Sequence, residues 1–275
     1  MSQPRACPAI SVRSLRSVVY GPTGPVVDDL AETYHEASKA YPSTLARQSP
    51  GLPLLEASAE LRWVAARSVK RYAHRARLEL PVPARLSGCL ADALARRRST
   101  RSFSAEPVSL SELATLLHAA YGITQGEEQS LRTAPSGGAL YPLELYTALA
   151  QVAGVPEGLY HYDPLRHVLE ELELGELDLR EAMVYPELLE APVLVFATAM
   201  FWRTRFKYGL RGYRFALIEA GHVMQNLLLA CSALRLAAVP IGGFFDRRLE
   251  ARLGVDGVNE SVVYGAALGR PGASA

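Results

Sequence analysis

Arg96-Arg97-Arg98-Ser99-Thr100-Arg101-Ser102-Phe103 closes a stretch of apolar helical periodicity. Guanidinium groups present planar forks of donors that match phosphate oxygens, and a serine hydroxyl adds a compact donor. Arginines and serine combined in this run suit the terminal phosphate of a mononucleotide. A solvated helix end is the plainer reading from spacing alone, since cations favour the C-terminal end of the helix dipole. The flanking sequence has to decide between them.

Downstream, Ser109 and Glu112 have capping-box spacing, Leu110, Leu113, Leu116 and Leu117 form an apolar stripe, and Gly122 supplies a stop. Arg132-Thr133-Ala134-Pro135-Ser136-Gly137-Gly138-Ala139-Leu140-Tyr141-Pro142 follows. Its adjacent glycines let the backbone approach a flat ligand, although composition alone favours an ordinary loop into the Leu143 strand. It has neither the Gly-Lys-Ser/Thr of a phosphate loop nor the glycine spacing of a dinucleotide fold. Strands are predicted over Leu143–Leu149, 158–162 and 168–172, the last two joined by an Asp163-Pro164 turn. A continuous apolar run predicts a buried strand over 192–199. Residues 213–234 read as a long helix with Leu217, Gly221, Met224, Leu228, Cys231 and Leu234 near one face. Ala237–Ile241, a short helix from Asp246 and a strand over 261–268 complete an α+β pattern without regular alternation.

Upstream, composition changes at Pro81-Val82-Pro83, which divides the chain into an N-terminal extension, 1–80, and a larger domain, 81–275. The extension is expected to be partly helical, over 27–39 and 56–77, with an irregular connection over 41–53. Its first two dozen residues carry little pattern. The chain has 275 residues, about half of them hydrophobic, and a net charge of +1. That length allows a substantial core, and that charge gives no reason to expect a nucleic-acid partner. Cys7, Cys89 and Cys231 are odd in number and far apart, so neither a disulfide framework nor a zinc site is expected, and a reducing cytoplasm is. No secretory pattern opens the chain, and the longest apolar run, 191–202, is too short to span a bilayer.

Two further constellations carry potential chemistry. Arg205-Phe206-Lys207-Tyr208-Gly209 sets a cation beside a phenol, which makes the phenol oxygen a usable proton acceptor; a basic surface segment before a helix reads as well. Gly242-Gly243-Phe244 follows an apolar strand and is a bulge, a turn, or a place where backbone amides meet a cofactor. The six histidines show no HxxxH or HExxH spacing, so no metal is expected. His161 reads as a surface or half-buried strand residue and His222 as a satisfied core histidine. Ser99 and Ser136 lack the strand–GxSxG–helix setting of a hydrolase nucleophile.

Taken in order, these pieces resemble the nitroreductase superfamily, and more closely its SagB-type branch, the azoline dehydrogenases of thiazole/oxazole-modified peptides. The match runs through Arg97 to Phe103, Arg132 to Pro142, Gly158-Leu159-Tyr160-His161-Tyr162-Asp163, Lys207-Tyr208-Gly209, Tyr213-Arg214, Glu219-Ala220-Gly221-His222, Gln225-Asn226-Leu227 and Gly242-Gly243-Phe244. It covers roughly residues 85–270, with a looser match at Tyr34-His35-Glu36-Ala37-Ser38-Lys39. The resemblance implies a nitroreductase-like FMN-binding α+β fold, with a mixed, mainly antiparallel sheet flanked by helices, and a homodimer whose flavins sit between subunits. It assigns the FMN phosphate to Arg97, Arg98 and Arg101 beside Ser99, with Arg270 as a looser further ligand. Pro135, Ser136, Gly137 and Gly138 would line the flavin, with Gly242 and Gly243 at its opposite edge. Lys207 and Tyr208 fall on the adjacent pair those dehydrogenases use in catalysis.

The resemblance implies oxidation of an azoline ring, whose Cα–H is acidic because an imine and a carbonyl flank it. A base takes that proton, hydride goes to the flavin, and aromatisation favours the step. Tyr208 is the expected base and Lys207 its electrostatic partner, with the roles open to exchange. A peptide substrate and a cyclodehydratase partner are the implied companions, and the extension is expected to contribute to recognition. Rival readings are an NAD(P)H-dependent nitro- or quinone reductase, a flavin oxidase of a carrier-bound or free small peptide, and a degenerate scaffold for a peptide-modifying partner.

Overall fold

The computed structural model describes residues 29–42, 49, 51–125 and 130–273, so the expectations for the first two dozen residues and most of the 41–53 connection fall outside them. Two compact units divide between Leu45 and Ala46. Within the first, α1 (Leu30–Ala37) is capped by Asp29, whose Oδ1 accepts from Ala31 N and Glu32 N. The second begins with α2 (Leu52–Ala57), α3 (Ala59–Ala66), β1 (Arg77–Glu79) and α4 (Leu90–Arg96). Next come β2 (Val108–Ser109), α5 (Leu110–Tyr121), β3 (Ile123–Gln125), β4 (Leu131–Arg132), β5 (Leu143–Leu149) and β6 (Val152–Ala153). Then follow β7 (Gly158–Asp163), β8 (Val168–Leu174), β9 (Val193–Met200), α6 (Phe201–Tyr208) and α7 (Arg211–Ala233). β10 (Ala237–Ile241), α8 (Asp246–Leu253) and β11 (Glu260–Gly269) close the order.

Seven strands form one sheet in the order β1-β8-β7-β5-β9-β11-β10, antiparallel at every step. Parallel pairing occurs in the small β2–β6 ladder and in the Ser99–Ala238 bridge. The fold is therefore α+β with a mainly antiparallel sheet and flanking helices. The β7–β8 hairpin turns where Asp163 Oδ1 accepts from Leu165 N at 2.9 Å.

One sheet face buries Leu143, Leu145, Val195 and Ala197 against α5 and α7. The other packs Phe196, Val239, Leu249 and Leu253 in a smaller cluster that includes α8. Beside that cluster the same face turns polar. Glu144 and Tyr146 on β5, His161 on β7, Glu170 on β8 and Thr198 on β9 are all buried.

The chain before β1 covers this polar patch. Lys70 N donates to Glu144 Oε1 at 2.7 Å, Tyr72 N to Glu170 Oε2 at 3.0 Å, and Lys70 Nζ to Glu260 Oε2 at 2.7 Å. The helix expected over 56–77 consequently ends at Ala66. Sheet carboxylates take backbone donors that a continuing helix would have bonded internally, and Arg77 to Glu79 pair with β8 instead.

α5 starts with the expected capping box: Ser109 Oγ accepts from Glu112 N, and Ser109 N donates to Glu112 Oε2 at 2.9 Å. Gly122 does stop it, for a reason other than left-handed backbone. Its φ is −70°, and an added Cβ would collide with the His118 ring and carbonyl. α7 is helical as expected, but its buried stripe runs through Ala216, Glu219, Val223, Leu227 and Cys231. Leu217 and Gly221, placed on the core face by periodicity, are exposed, and so is His222. α7 is long and apolar enough to cross a membrane by length and composition, yet half of that window is buried within the domain.

Candidate active site

The glycine loop and the Lys-Tyr pair, some 70 residues apart in sequence, meet in the fold. Ser136 Oγ accepts from Tyr141 N at 2.9 Å and closes a tight turn whose centre is a single 3₁₀ turn at Gly137–Ala139. Gly138 has φ 69°, and a Cβ built there would lie 2.7 Å from Tyr208 Oη and 2.8 Å from Lys207 Nζ. A Cβ on Gly137 would approach the Phe215 ring to 3.2 Å. Two heads of different chemistry thus converge on one bare backbone position. Gly138→Ala combines a left-handed backbone with that collision, so the variant is expected to displace Lys207 and Tyr208 and to lose roughly 1–3 kcal/mol of stability. A denaturation midpoint and activity equal to the parent's would show that the close approach is not real.

α6 carries the pair and is fixed onto α7. Gly209, at φ 54°, ends the helix with its N–H on Arg205 O. Thr204 Oγ1 donates to Gly212 O at 2.9 Å, where a Cβ on Gly212 would strike the α6 backbone at 2.6 Å. Phe201 stacks on Tyr213 with ring centroids 4.4 Å apart, and Tyr208 meets Phe215 edge-on at 4.8 Å. Lys207 Nζ lies 5.0 Å from the Tyr208 ring centroid. A cavity of about 520 Å³, lined by Leu52, Leu55, Trp63, Leu131 and Leu140, also borders Gly138 and Lys207. Another of about 460 Å³, beside Leu177 and Leu189, touches none of the candidate residues.

The arginine run lies elsewhere. Thr100 N donates to Ala238 O at 3.0 Å, and Arg97 and Arg98 line a small cleft of about 80 Å³ with Leu228 and Ser232. Arg98 spends Nη1 on the carbonyls of Ala95 and Arg97. Among the described residues, Arg97, Arg98 and Arg101 have no carboxylate partner, which leaves their charge available to an anion. Gly242 and Gly243 follow β10, so they sit roughly 13 Å along that strand from Ala238. Gly242 has open space where a Cβ would be.

Arg270 is placed differently from its assignment as a looser phosphate ligand. It holds Glu112 with both terminal nitrogens, at 2.9 and 3.0 Å, and Glu106 with Nε at 3.2 Å. Its terminal nitrogens are committed to Glu112, and it fastens the end of β11 to the start of α5.

Within one chain the two halves of the candidate site are far apart. Gly137 abuts Phe215, whereas the arginines abut Leu228 and Ser232. At 1.5 Å per residue, that is roughly 20–25 Å along α7.

Sequence reading missed the buried ionic groups that support this region. Arg203, one turn before Lys207, pairs with Glu144 at 2.7 Å and donates to Tyr141 O at 3.2 Å. His161, expected near the surface, is fully buried between Glu144 at 3.0 Å and Glu170 at 3.1 Å. Burial opposes its charge, but the two carboxylates outweigh burial and raise its pKa to about 9. The one available signal was the charged residue inside Leu143-Glu144-Leu145-Tyr146, a polar position in an otherwise apolar strand. Among the described residues, no three His, Cys, Asp or Glu side chains are grouped to hold a metal.

Residues 94–270 match the sequence model of the nitroreductase family. The chain belongs to that family. A protein named as a nitroreductase, MJ1384 of Methanocaldococcus jannaschii, is 40% identical over 164 residues, 58% of this chain and 81% of the relative. The trifolitoxin-processing protein TfxB of Rhizobium leguminosarum bv. trifolii is 32% identical, covering 40% of this chain and 31% of TfxB. The microcin B17-processing protein McbC of Escherichia coli is 30% identical, covering 46% of this chain and 49% of McbC. This chain thus spans half or less of those two peptide-processing relatives. Among solved structures, a protein described as a nitroreductase from Ralstonia eutropha superposes with a TM-score of 0.62 at 29% identity, over 75% of this chain and 94% of its own. A chain of the E. coli microcin synthetase McbBCD complex with truncated pro-MccB17 bound superposes at 0.57 and 20% identity, over 86% and 99%, a likeness of fold. Membership makes the chain a nitroreductase-type oxidoreductase with relatives in peptide maturation.

Proposed function

We propose that this chain is an FMN-dependent dehydrogenase that oxidises azoline rings of a modified peptide to azoles. The convergence of Lys207 and Tyr208 on Gly138 carries the reading. A family member that draws hydride from a nicotinamide needs no acid–base pair beside the bare backbone where a flat ring would lie.

The residues fit FMN. Arg97, Arg98 and Arg101, without carboxylate partners, would hold its phosphate beside Ser99. The open space at Gly242 and the turn of Pro135, Ser136, Gly137 and Gly138 would admit its ring, with Gly243 beside Gly242. FMN, when bound, supplies the two-electron acceptor. Oxidation removes a proton from the azoline Cα and a hydride from the adjacent ring carbon. Tyr208 Oη takes the proton, and Lys207 Nζ places positive charge beside it. The apolar cavity next to Lys207 receives the peptide flanking the ring.

The separation along α7 supports a homodimer in which each flavin is shared, its phosphate held by one chain and its ring met by the turn of the other. Exposed Trp202, Leu210, Leu217 and Ile218 on α6 and α7 give such a dimer apolar surface to bury. A cyclodehydratase partner, a contribution of residues 1–80 to peptide recognition and a cytoplasmic location belong to the same reading.

The likeness to MJ1384 favours a second reading, an NAD(P)H-dependent nitro- or quinone reductase. One experiment separates them. The purified protein, loaded with FMN and given an azoline peptide, is expected to lower the peptide mass by two hydrogens per ring. Arg101→Ala should lose FMN by dilution faster than the parent does. Rapid oxidation of NAD(P)H with no change in the azoline peptide would replace the dehydrogenase reading with the second one.

A further inference from the structure

Under the glycine turn lies a set of ionisable groups that the proposed chemistry leaves unused. Glu219 of α7 is 1% exposed. Tyr121 Oη donates to its Oε1 at 2.5 Å, while Oε2 is buried without a well-aligned partner. The Ser136 hydroxyl is close enough to favour the charged carboxyl, short of an aligned bond. Arg132 of β4 lies between the Tyr121 and Tyr141 rings, 4.2 and 4.6 Å from their centroids. Its Nη2 donates to Ser68 O, and its Nε and Nη1 are buried without partners. Arg203 of α6 and Glu144 of β5 complete the charged surroundings. Burial pushes the Glu219 carboxyl up to about 7, against the lowering influence of Ser136, Tyr121, Arg132 and Arg203.

The turn above these groups is strained. Ala139 and Tyr141 have positive φ, 54° and 43°, in addition to Gly138. Such backbone persists only where its surroundings over-determine it. Here Tyr141 is held three times: its N–H by Ser136 Oγ, its carbonyl by Arg203 Nη1, and its hydroxyl by Arg132 N at 3.3 Å. All three holding residues, Ser136, Arg203 and Arg132, carry a hydroxyl or a cation that favours the charged Glu219 carboxyl.

We propose that Glu219 is a positioning residue for the flavin-facing turn: its carboxylate, held by Tyr121 and drawing on Ser136, Arg132 and Arg203, locks residues 136–141 in the geometry that receives FMN, and its protonation loosens the lock. The inference rests on the FMN reading above. Because the folded carboxyl titrates above its unfolded value, Glu219 is largely neutral below about 7 and charged above it. FMN affinity should therefore gain with rising pH. The contribution of Glu219 to global stability runs the other way, present below its unfolded pKa and lost as pH rises through about 7.

The test is FMN binding to the full chain, followed by flavin fluorescence quenching at about pH 6 and about pH 8 in parent and Glu219→Gln. The FMN phosphate titrates identically in both, so the ratio of their dissociation constants isolates Glu219. That ratio should be near one at the lower pH and roughly five- to ten-fold at the higher, the difference between a charged and a neutral acceptor. Equal ratios at both pH values overturn the proposal. Tyr121→Phe removes a donor to the carboxylate and should move the affinity step to higher pH. If Glu219→Gln does not fold, an unmoved step in Tyr121→Phe overturns the proposal by itself. A parent that binds no FMN overturns the functional reading as well, whereas FMN binding without pH dependence overturns this inference alone.

Discussion

Tyr208→Phe and Lys207→Ala will each keep FMN yet lose peptide-driven flavin reduction, by roughly 100- to 10,000-fold if the pair supplies the base. Tyr208→Phe keeps the ring that packs edge-on against Phe215 and removes only the oxygen aimed at Gly138. Lys207→Ala removes the ammonium that shares that position. The arginines lie at the other end of α7, so neither change touches the residues proposed to hold the phosphate. Single-turnover reduction by an azoline peptide without oxygen isolates the step, since reoxidation cannot mask it. Reduction near the parental rate in both flavin-loaded variants would remove the pair from the chemistry and return the chain to the broader family.

The second large effect is on stability. Glu144 accepts from Arg203 Nη1 and Lys70 N, both at 2.7 Å, and faces His161 Nε2 at 3.0 Å. Burial opposes its charge, but Arg203 and His161 overcome burial and hold its carboxyl well below the usual carboxylate range. Glu144→Ala would leave buried Arg203 without its carboxylate and His161 with Glu170 alone, a loss of roughly 3–5 kcal/mol. In a domain of this size that lowers the thermal midpoint by roughly 6–20 °C. A midpoint within a few degrees of the parent's would mean that the network relaxes or hydrates freely. Since His161 titrates at about 9 in the folded chain, its charge-linked stability is fully present below about 6.5 and lost as pH rises through 9. Glu144 acts in the opposite sense, stabilising above the ordinary carboxylate pKa and losing its contribution as pH falls through the depressed value.

What could be read in advance depended on whether local chemistry or distant partners set each element. The bounds of β5 and β10, and the hairpin turn at Asp163, follow from alternation and turn residues. The Ser109–Glu112 box needs only residues three apart and formed as expected. The helix expected through Arg77 failed because Glu144 and Glu170, far along the chain, bond its backbone. His161 was misplaced because a strand face that looks polar is normally wet, and this one is roofed by 67–76. Arg270 looked like an anion ligand because charge alone does not reveal the carboxylates beside it. Arg97, Arg98, Arg101 and the glycine loop were each legible as pieces. Their separation along α7 was not, since no periodicity reports distance between loops.

The roof over the polar sheet face also bears on where this protein can be cut. Pro81-Val82-Pro83 is the visible seam in the sequence, yet the backbone of Lys70 and Tyr72 lies upstream of it and bonds carboxylates inside the sheet. A fragment begun at the seam would strip those N–H groups from Glu144 and Glu170, take Lys70 from Glu260, and remove β1 from the edge of β8. It would open a negatively charged hollow and a bare strand edge together, a recipe for self-association rather than folding. The smallest autonomous piece therefore has to start ahead of Lys70. In expression work and in recombination alike, residues 67–80 travel with the body of the enzyme.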